Sequence, residues 1–225
     1  MTISVLIAAY NCEDTIDIAI ESVLQQSLLP NEIVVFDDCS NDKTTNIVET
    51  FSNVVLIKGN INRGPGYVRN ELVKASSCDF CVFLDSDDTM DVRRLERIAE
   101  FTRNCEFKSF LLYHDRVSIN HQMIKTTIKA PRMKAFDFSK HWYYLLGGTY
   151  GVSHMNGSTA TCTLSAYRSW LLAIGGFDSR FRLAEDTDLA IRNSLSWGKV
   201  FVIQEALIKQ RLQKKAYKTK KKEFY

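Results

Sequence analysis

Proline and glycine are sparse in this 225-residue chain, three and ten respectively, and its six cysteines are scattered. No internal repeat or low-complexity linker is visible, so one compact unit is expected rather than a string of modules. No run approaches the roughly 18 apolar residues that a membrane-spanning helix needs. Met1-Thr2-Ile3-Ser4-Val5 enters a strand-like stretch at once, without the basic segment and small-residue cleavage site of an export signal, so a cytoplasmic location is expected. Cys78 and Cys81 form a single CxxC, no second pair completes a zinc site, and Cys81 sits in an apolar run. Free thiols in a reducing compartment are the simpler reading. Aromatic platforms interleaved with basic residues are missing, which argues against a nucleic-acid binder.

What is present is an ordinary globular composition, 45% hydrophobic and 24% charged, with a net charge of +3 that is unevenly spread. Eight basic residues and one acid lie from Lys209 onward, so the excess of positive charge is local to that end. Upstream, the chain alternates strand and helix patterns. Ile3 to Ala9, Glu32 to Phe36, Val54 to Ile57 and residues 79 to 84 read as strands. Helical spacing separates them at Ile16, Ile20, Val23 and Leu24, at Thr44 to Phe51, and at Val68, Leu72 and Val73. Four such alternations in about ninety residues predict an α/β fold with a doubly wound, mostly parallel sheet. A helix over Val92 to Ala99, a strand at Ser109 to Tyr113, long loops over residues 115 to 160, a helix from Ala166 to Ile174, another after Glu185 and a last strand at Lys199 to Ile203 follow.

The apolar runs end in acids. Glu32 to Phe36 runs into Asp37-Asp38, and the stretch Phe80-Cys81-Val82-Phe83-Leu84 into Asp85-Ser86-Asp87-Asp88. Ligands of open α/β sheets bind at the carboxyl ends of strands, and three carboxylates within four residues repel one another unless a cation offsets them. Asp85, Asp87 and Asp88 therefore suggest a site for a hard divalent metal such as Mn²⁺ or Mg²⁺. The competing reading is an acidic turn capping the next helix at Asp88 or Thr89. Asp85-Ser86-Asp87-Asp88-Thr89 also fits the DxDxT pattern of haloacid-dehalogenase phosphatases with Asp85 as nucleophile, although that motif belongs on a first strand and here three strand-helix units precede it.

Five sites in order carry a resemblance: Ala8-Ala9-Tyr10-Asn11, Asp37 to Thr44, Asn62-Arg63-Gly64 through Arg69-Asn70, Asp85 to Asp88, and Gly176-Phe177-Asp178 followed by Glu185-Asp186. Together they resemble the inverting family 2 glycosyltransferases of the GT-A fold. This chain departs by placing Ala9 where that family often has proline, and by lacking a glycine beside Glu185-Asp186.

The resemblance implies transfer of a sugar from a nucleotide-diphosphate sugar, a UDP-sugar by preference, to a hydroxyl of a glycan or lipid-linked acceptor. It implies that Ala8, Tyr10, Asn11, Asp38, Arg69 and Asp85 bind the nucleotide sugar, with Arg69 assisting at its diphosphate. Asp87 and Asp88 would hold the metal, Asp186 would act as the base of a single displacement, and Glu185 would hold substrate hydroxyls. Residues 1–105 would form the donor half and 106–208 the acceptor half, with Trp142 and Tyr150 expected to offer flat faces to sugar rings. A basic tail over 209–225 is expected to hold the protein peripherally at the inner face of an anionic membrane, where cell-surface polysaccharides are begun.

Overall fold

The computed structural model describes residues 1–120, 122–130 and 159–211. Its first four strands are β1 (Ile3–Ala9), β2 (Glu32–Asp37), β3 (Val55–Lys58) and β4 (Phe80–Asp85). They pair in parallel in the order β3-β2-β1-β4. The intervening helices are α1 (Ile16–Leu24), α2 (Thr44–Val48) and α3 (Pro65–Ala75), the last begun by a proline whose missing N–H costs nothing at a helix start. α4 (Arg94–Arg103) follows β4.

The strands are continuous apolar runs because both faces of the sheet are covered. Val5, Ile7, Val35, Val82 and Leu84 pack on one side against Ile16 and Ile20 of α1 and Leu95 and Ile98 of α4. Leu6, Val34 and Phe83 point the other way, onto Val68 and Leu72 of α3. The second layer there is completed by α5 (Arg168–Ala173) and α6 (Glu185–Leu195), through Leu171 and Leu189.

The second half extends the same sheet with β5 (Asp88–Met90), β6 (Phe110–Ile119), β7 (Lys125–Ile128), β8 (Ser165–Tyr167) and β9 (Lys199–Arg211). β8 lies antiparallel between β4 and β6, β9 runs parallel to β6, and β5 and β7 pair antiparallel with β9 and β6. Six of the nine strands thus run one way, a mixed sheet that is mostly parallel.

Four local expectations change. Asp88 and Thr89 do not cap a helix but form β5. β6 runs six residues past Tyr113, and β7 lies inside the stretch expected as loops, because β6 is paired there on both sides, with β7 and β9; Arg116 Nε also donates to Gln210 Oε1 at 2.9 Å and Ala130 N–H to Asp115 Oδ1 at 2.8 Å. The helix expected from Ala166 starts two residues later, because Ser165 to Tyr167 pair with β4 and β6. Finally, Lys209 and Arg211 belong to β9, paired with Val117 and Ile119, so the sheet reaches into the segment expected to be tail.

Candidate active site

Register sets the level of the strand ends. Ala8 lies beside Asp85 and Phe36, and Ala9 beside Asp37, so β1, β2 and β4 all finish at one edge of the sheet. A cleft of about 480 Å³ opens there, lined by Ala8, Tyr10, Asn11, Asp38, Arg69, Asp85 and Asp87 among others. Seven residues expected at a donor site are therefore neighbours around one cavity. Asn11 takes a left-handed backbone (φ 46°), a conformation asparagine tolerates. Its Oδ1 accepts the Asn41 N–H at 2.8 Å while its own N–H donates to Ser40 Oγ, which ties the loop after β1 to the loop after β2.

Asp37 and Asp38 divide the labour. Asp37 accepts bonds from Ser40 and Thr45 and shapes its own loop. Asp38 is buried, and its two oxygens take the N–H groups of Arg63 and Gly64 at 2.9 and 2.8 Å. A carboxylate has about four acceptor positions, so Asp38 keeps capacity for a further donor from the cleft. Gly64 has φ +86°, and a Cβ there would meet Arg182 Nη1 at 3.3 Å. That turn brings the start of α3, and with it Arg69, to the cleft.

Arg69 lines the cleft with its charge already paired. Its guanidinium, almost wholly buried, bonds Glu185 through Nη1 and Asp85 through Nη2, the latter at 3.1 Å. Burial alone would lower its pKa, but the carboxylates of Asp85 and Glu185 outweigh that and raise it. Glu185, expected at substrate hydroxyls, is buried on this arginine instead. The next residue of α3, Asn70, donates to the Phe177 carbonyl and accepts its N–H, both at 2.7 Å. The two adjacent side chains fasten α3 to the loop and helix that carry Glu185 and Asp186.

The acid cluster is also split. Asp87 borders the cleft, whereas Asp88 is only 1% exposed and its Oδ1 accepts the Arg211 N–H at 3.3 Å. Burial first, then the neighbouring Asp85 and Asp87 carboxylates, push its carboxyl up to about 8. Potential ligand atoms of Asp85, Asp88 and Cys162 lie within 4.8 Å of one another, and Asp88 Oδ2 is buried without a hydrogen-bond partner among the described residues. Behind them Arg94, fully buried, donates to the Phe83 carbonyl at 3.0 Å; burial lowers its pKa to about 10.

Asp186 sits in the first turn of α6, where acids favour the helix dipole. It is half-buried, and its Oδ1 accepts the Thr187 N–H at 2.7 Å. Burial, and then Glu185, raise its pKa above the usual carboxylate range, while the Thr187 bonds and Arg69 pull the other way. Buried Tyr113 of β6 is close enough for Asp186 to help raise the phenol's pKa, after burial itself. Just before the pair stands Ala184 at φ +65°, the conformation a flanking glycine would adopt at no steric cost. Ala184 is exposed, so Ala184→Gly is expected to stabilise the protein by about 0.5–1 kcal/mol. A urea titration should show a higher midpoint with unchanged slope.

Arg182 escaped the sequence reading. It lines the cleft and bonds Asn62 Oδ1 at 3.1 Å, yet it comes from the loop after Phe177, far from Asn62 in the chain. Its only sequence signal was its place three residues before Glu185. Trp142 and Tyr150 lie outside the described residues.

An open, mostly parallel α/β sheet with a cleft at its strand ends, lined by Asp38, Asp85, Asp87, Arg69 and Arg182, belongs to the α/β folds that carry their ligand sites at that edge. Residues 4–148 match the family described as Glycosyl transferase family 2, and the chain belongs to that family. Family membership removes the phosphatase alternative, and Asp85, clasped by Arg69, is no waiting nucleophile. Among curated relatives, the chain is 44% identical over 100 residues to the succinoglycan biosynthesis protein ExoO of Rhizobium meliloti, an overlap of 44% of this chain and 29% of that one. It is 41% identical over 88 residues to the UDP-Glc:alpha-D-GlcNAc-diphosphoundecaprenol beta-1,3-glucosyltransferase WfaP of Escherichia coli, covering 38% of this chain and 35% of that one. The matched regions thus span about a third of these relatives. The crystal structure of S. aureus TarS 1-349 in complex with UDP-GlcNAc superposes with a TM-score of 0.75 at 23% identity, over 95% of this chain and 59% of that one. The fold is accordingly the GT-A-like fold.

Proposed function

We propose that the protein transfers a sugar from a UDP-sugar to a hydroxyl of a glycan or lipid-linked acceptor, with inversion at the anomeric carbon. The observation that carries this reading is the single cleft that gathers Ala8, Tyr10, Asp38, Asp85 and Asp87 at level strand ends, with Arg182 beside them. The base of the nucleotide would meet the backbone at Ala8 and Tyr10 and the remaining acceptor capacity of Asp38. Arg182 takes the diphosphate role that Arg69 cannot fill while it is clasped between two carboxylates.

The oxygens of Asp85 and the unpartnered Oδ2 of Asp88, with Asp87 at the cleft edge, would suit a Mn²⁺ or Mg²⁺ ion, while burial keeps the neighbouring Cys162 a protonated thiol. Such an ion supplies Lewis-acid charge to the leaving diphosphate. Glu185 is held on Arg69, so the carboxylate that remains for the acceptor proton is its neighbour Asp186, in the first turn of α6. The names of the relatives, one acting on a diphosphoundecaprenol-linked sugar and one in succinoglycan biosynthesis, support a lipid-linked or polysaccharide acceptor. No helix among the described residues is long and apolar enough to cross a membrane. The lysines beyond Arg211 would hold the protein against an anionic surface, each contributing about 1 kcal/mol.

Titration calorimetry with UDP tests the donor reading. UDP is expected to bind in Mn²⁺, and EDTA to weaken it by at least about tenfold, equivalent to about 1.4 kcal/mol. Equal affinity in EDTA would remove the metal role from Asp87.

A further inference from the structure

Ile119 ends β6 and is paired on both sides, with Lys125 of β7 and Arg211 of β9. Two residues earlier, Val117 stands between Thr127 and Lys209. Opposed residues project to the same side of a sheet. One face therefore carries two half-buried aliphatics, Val117 and Ile119, between Lys125 on one flank and Lys209 and Arg211 on the other, and all three cations are exposed. The intervening positions point the other way: Ser118 is buried, and Gln210 accepts its bond from Arg116.

Beyond Ile119 the chain turns at Asn120, whose Oδ1 accepts the N–H groups of Gln122 and Ile124 at 2.9 and 3.0 Å. That turn leaves Met123 and Ile124 in water, 73% and 54% exposed. No Asp or Glu occurs from Arg116 to Ala130 or from Ala206 to Lys222, so the register sets two acid-free segments side by side. β9 ends at Arg211, and the sequence beyond it includes six lysines. Ile119, Lys209 and Arg211 also share a small pocket of about 150 Å³ with Asp87, so the face adjoins the donor cleft.

We propose that this face docks on an anionic lipid bilayer, with Met123 and Ile124 entering the headgroup boundary while Lys125, Lys209 and Arg211 meet lipid phosphates. An apolar tip ringed by cations is complementary to such a surface. A folded protein partner would ask for a broader apolar core than two side chains at a turn offer. The inference rests on the membrane contact proposed above and moves it from the lysine-rich end alone onto folded residues beside the active site.

Sedimentation of the full chain with vesicles is the test, using phosphatidylcholine alone and phosphatidylcholine mixed with phosphatidylglycerol. The protein is expected to sediment only with the mixture and to release as salt rises, since exposed charges are screened over about 10 Å. Met123→Ser with Ile124→Ser should weaken binding at least about tenfold at every salt concentration, because burial of each side chain is lost. Lys125→Glu should weaken it about tenfold at low salt and less at high salt. All three side chains already face water, so the substitutions leave the fold and the UDP affinity unchanged. Hairpin variants that sediment like the unaltered chain overturn the proposal and leave binding to the lysines past Arg211. Failure of the unaltered chain to sediment with the anionic mixture overturns it as well. A chain that sediments as described but does not bind UDP upholds the docking face and refutes the donor reading separately.

Discussion

Asp186→Asn is expected to lower turnover by roughly two to four orders of magnitude and leave UDP affinity unchanged, the usual worth of a positioned general base. The substitution is nearly isosteric. The asparagine oxygen can still accept the Thr187 N–H that Asp186 Oδ1 accepts now, so the first turn of α6 keeps its geometry. What is lost is the ability to take a proton. Burial and Glu185 raise the Asp186 pKa, so activity should fall as pH drops through a value above the ordinary carboxylate range, where the base becomes protonated. Rapid-quench turnover and a pH profile of kcat/KM measure both effects. Near-normal transfer by Asp186→Asn would assign the base to another residue.

Arg69→Met is expected to cost about 3–5 kcal/mol of folding stability, the range for removing one partner of a buried charged network. Three features place it at the large end of single substitutions. The guanidinium and the Glu185 side chain are 10% and 11% exposed, so solvent screens their pairing little. Asp85 is more open, at 31%, and its share is discounted accordingly. The pairing also spans 116 residues of chain, so its loss loosens α6 from α3 as well as uncovering two acids. Arg69→Lys should recover only part of the loss, because a single ammonium cannot reach two carboxylates with the forked geometry of arginine. Urea unfolding of Arg69→Met, Glu185→Gln and the double variant forms a cycle; a coupling below about 0.5 kcal/mol would show that the contact does not hold the halves together.

The two expectations separate chemistry from architecture. Asp186 should change rate with little change in stability, and Arg69 should change stability first, with transfer failing because the base-bearing helix is displaced. A protein in which both substitutions affected only UDP binding would place both side chains on the donor, contrary to the clasp between Asp85 and Glu185.

By itself the sequence determined the parallel half of the sheet and the positions where acids leave it. Strands buried on both faces must be apolar at every position, so Ile3 to Ala9 and Phe80 to Leu84 announce themselves, and the first polar residue marks the edge at which a ligand is met. That is why Asp38, Asp85 and Asp87 were legible at one edge although they stand at the ends of two different strands, whereas Ala8 came from the family resemblance. Tertiary structure alone decided what each acid faces. Asp87 and Asp88 are adjacent in the chain, yet Asp87 lies in the turn between β4 and β5 and borders the cleft, whereas Asp88 opens β5 beside β9 and is buried, a distinction no composition records. Likewise β5, β8 and the far end of β9 are polar or short, and they become strands only because an existing sheet edge supplies the hydrogen bonds their backbones need. Arg69 looked like a phosphate ligand because its charge was visible and its partner was not; Glu185 lies 116 residues away, and only the packing of α3 against the loop that leads to α6 brings the two charges into contact.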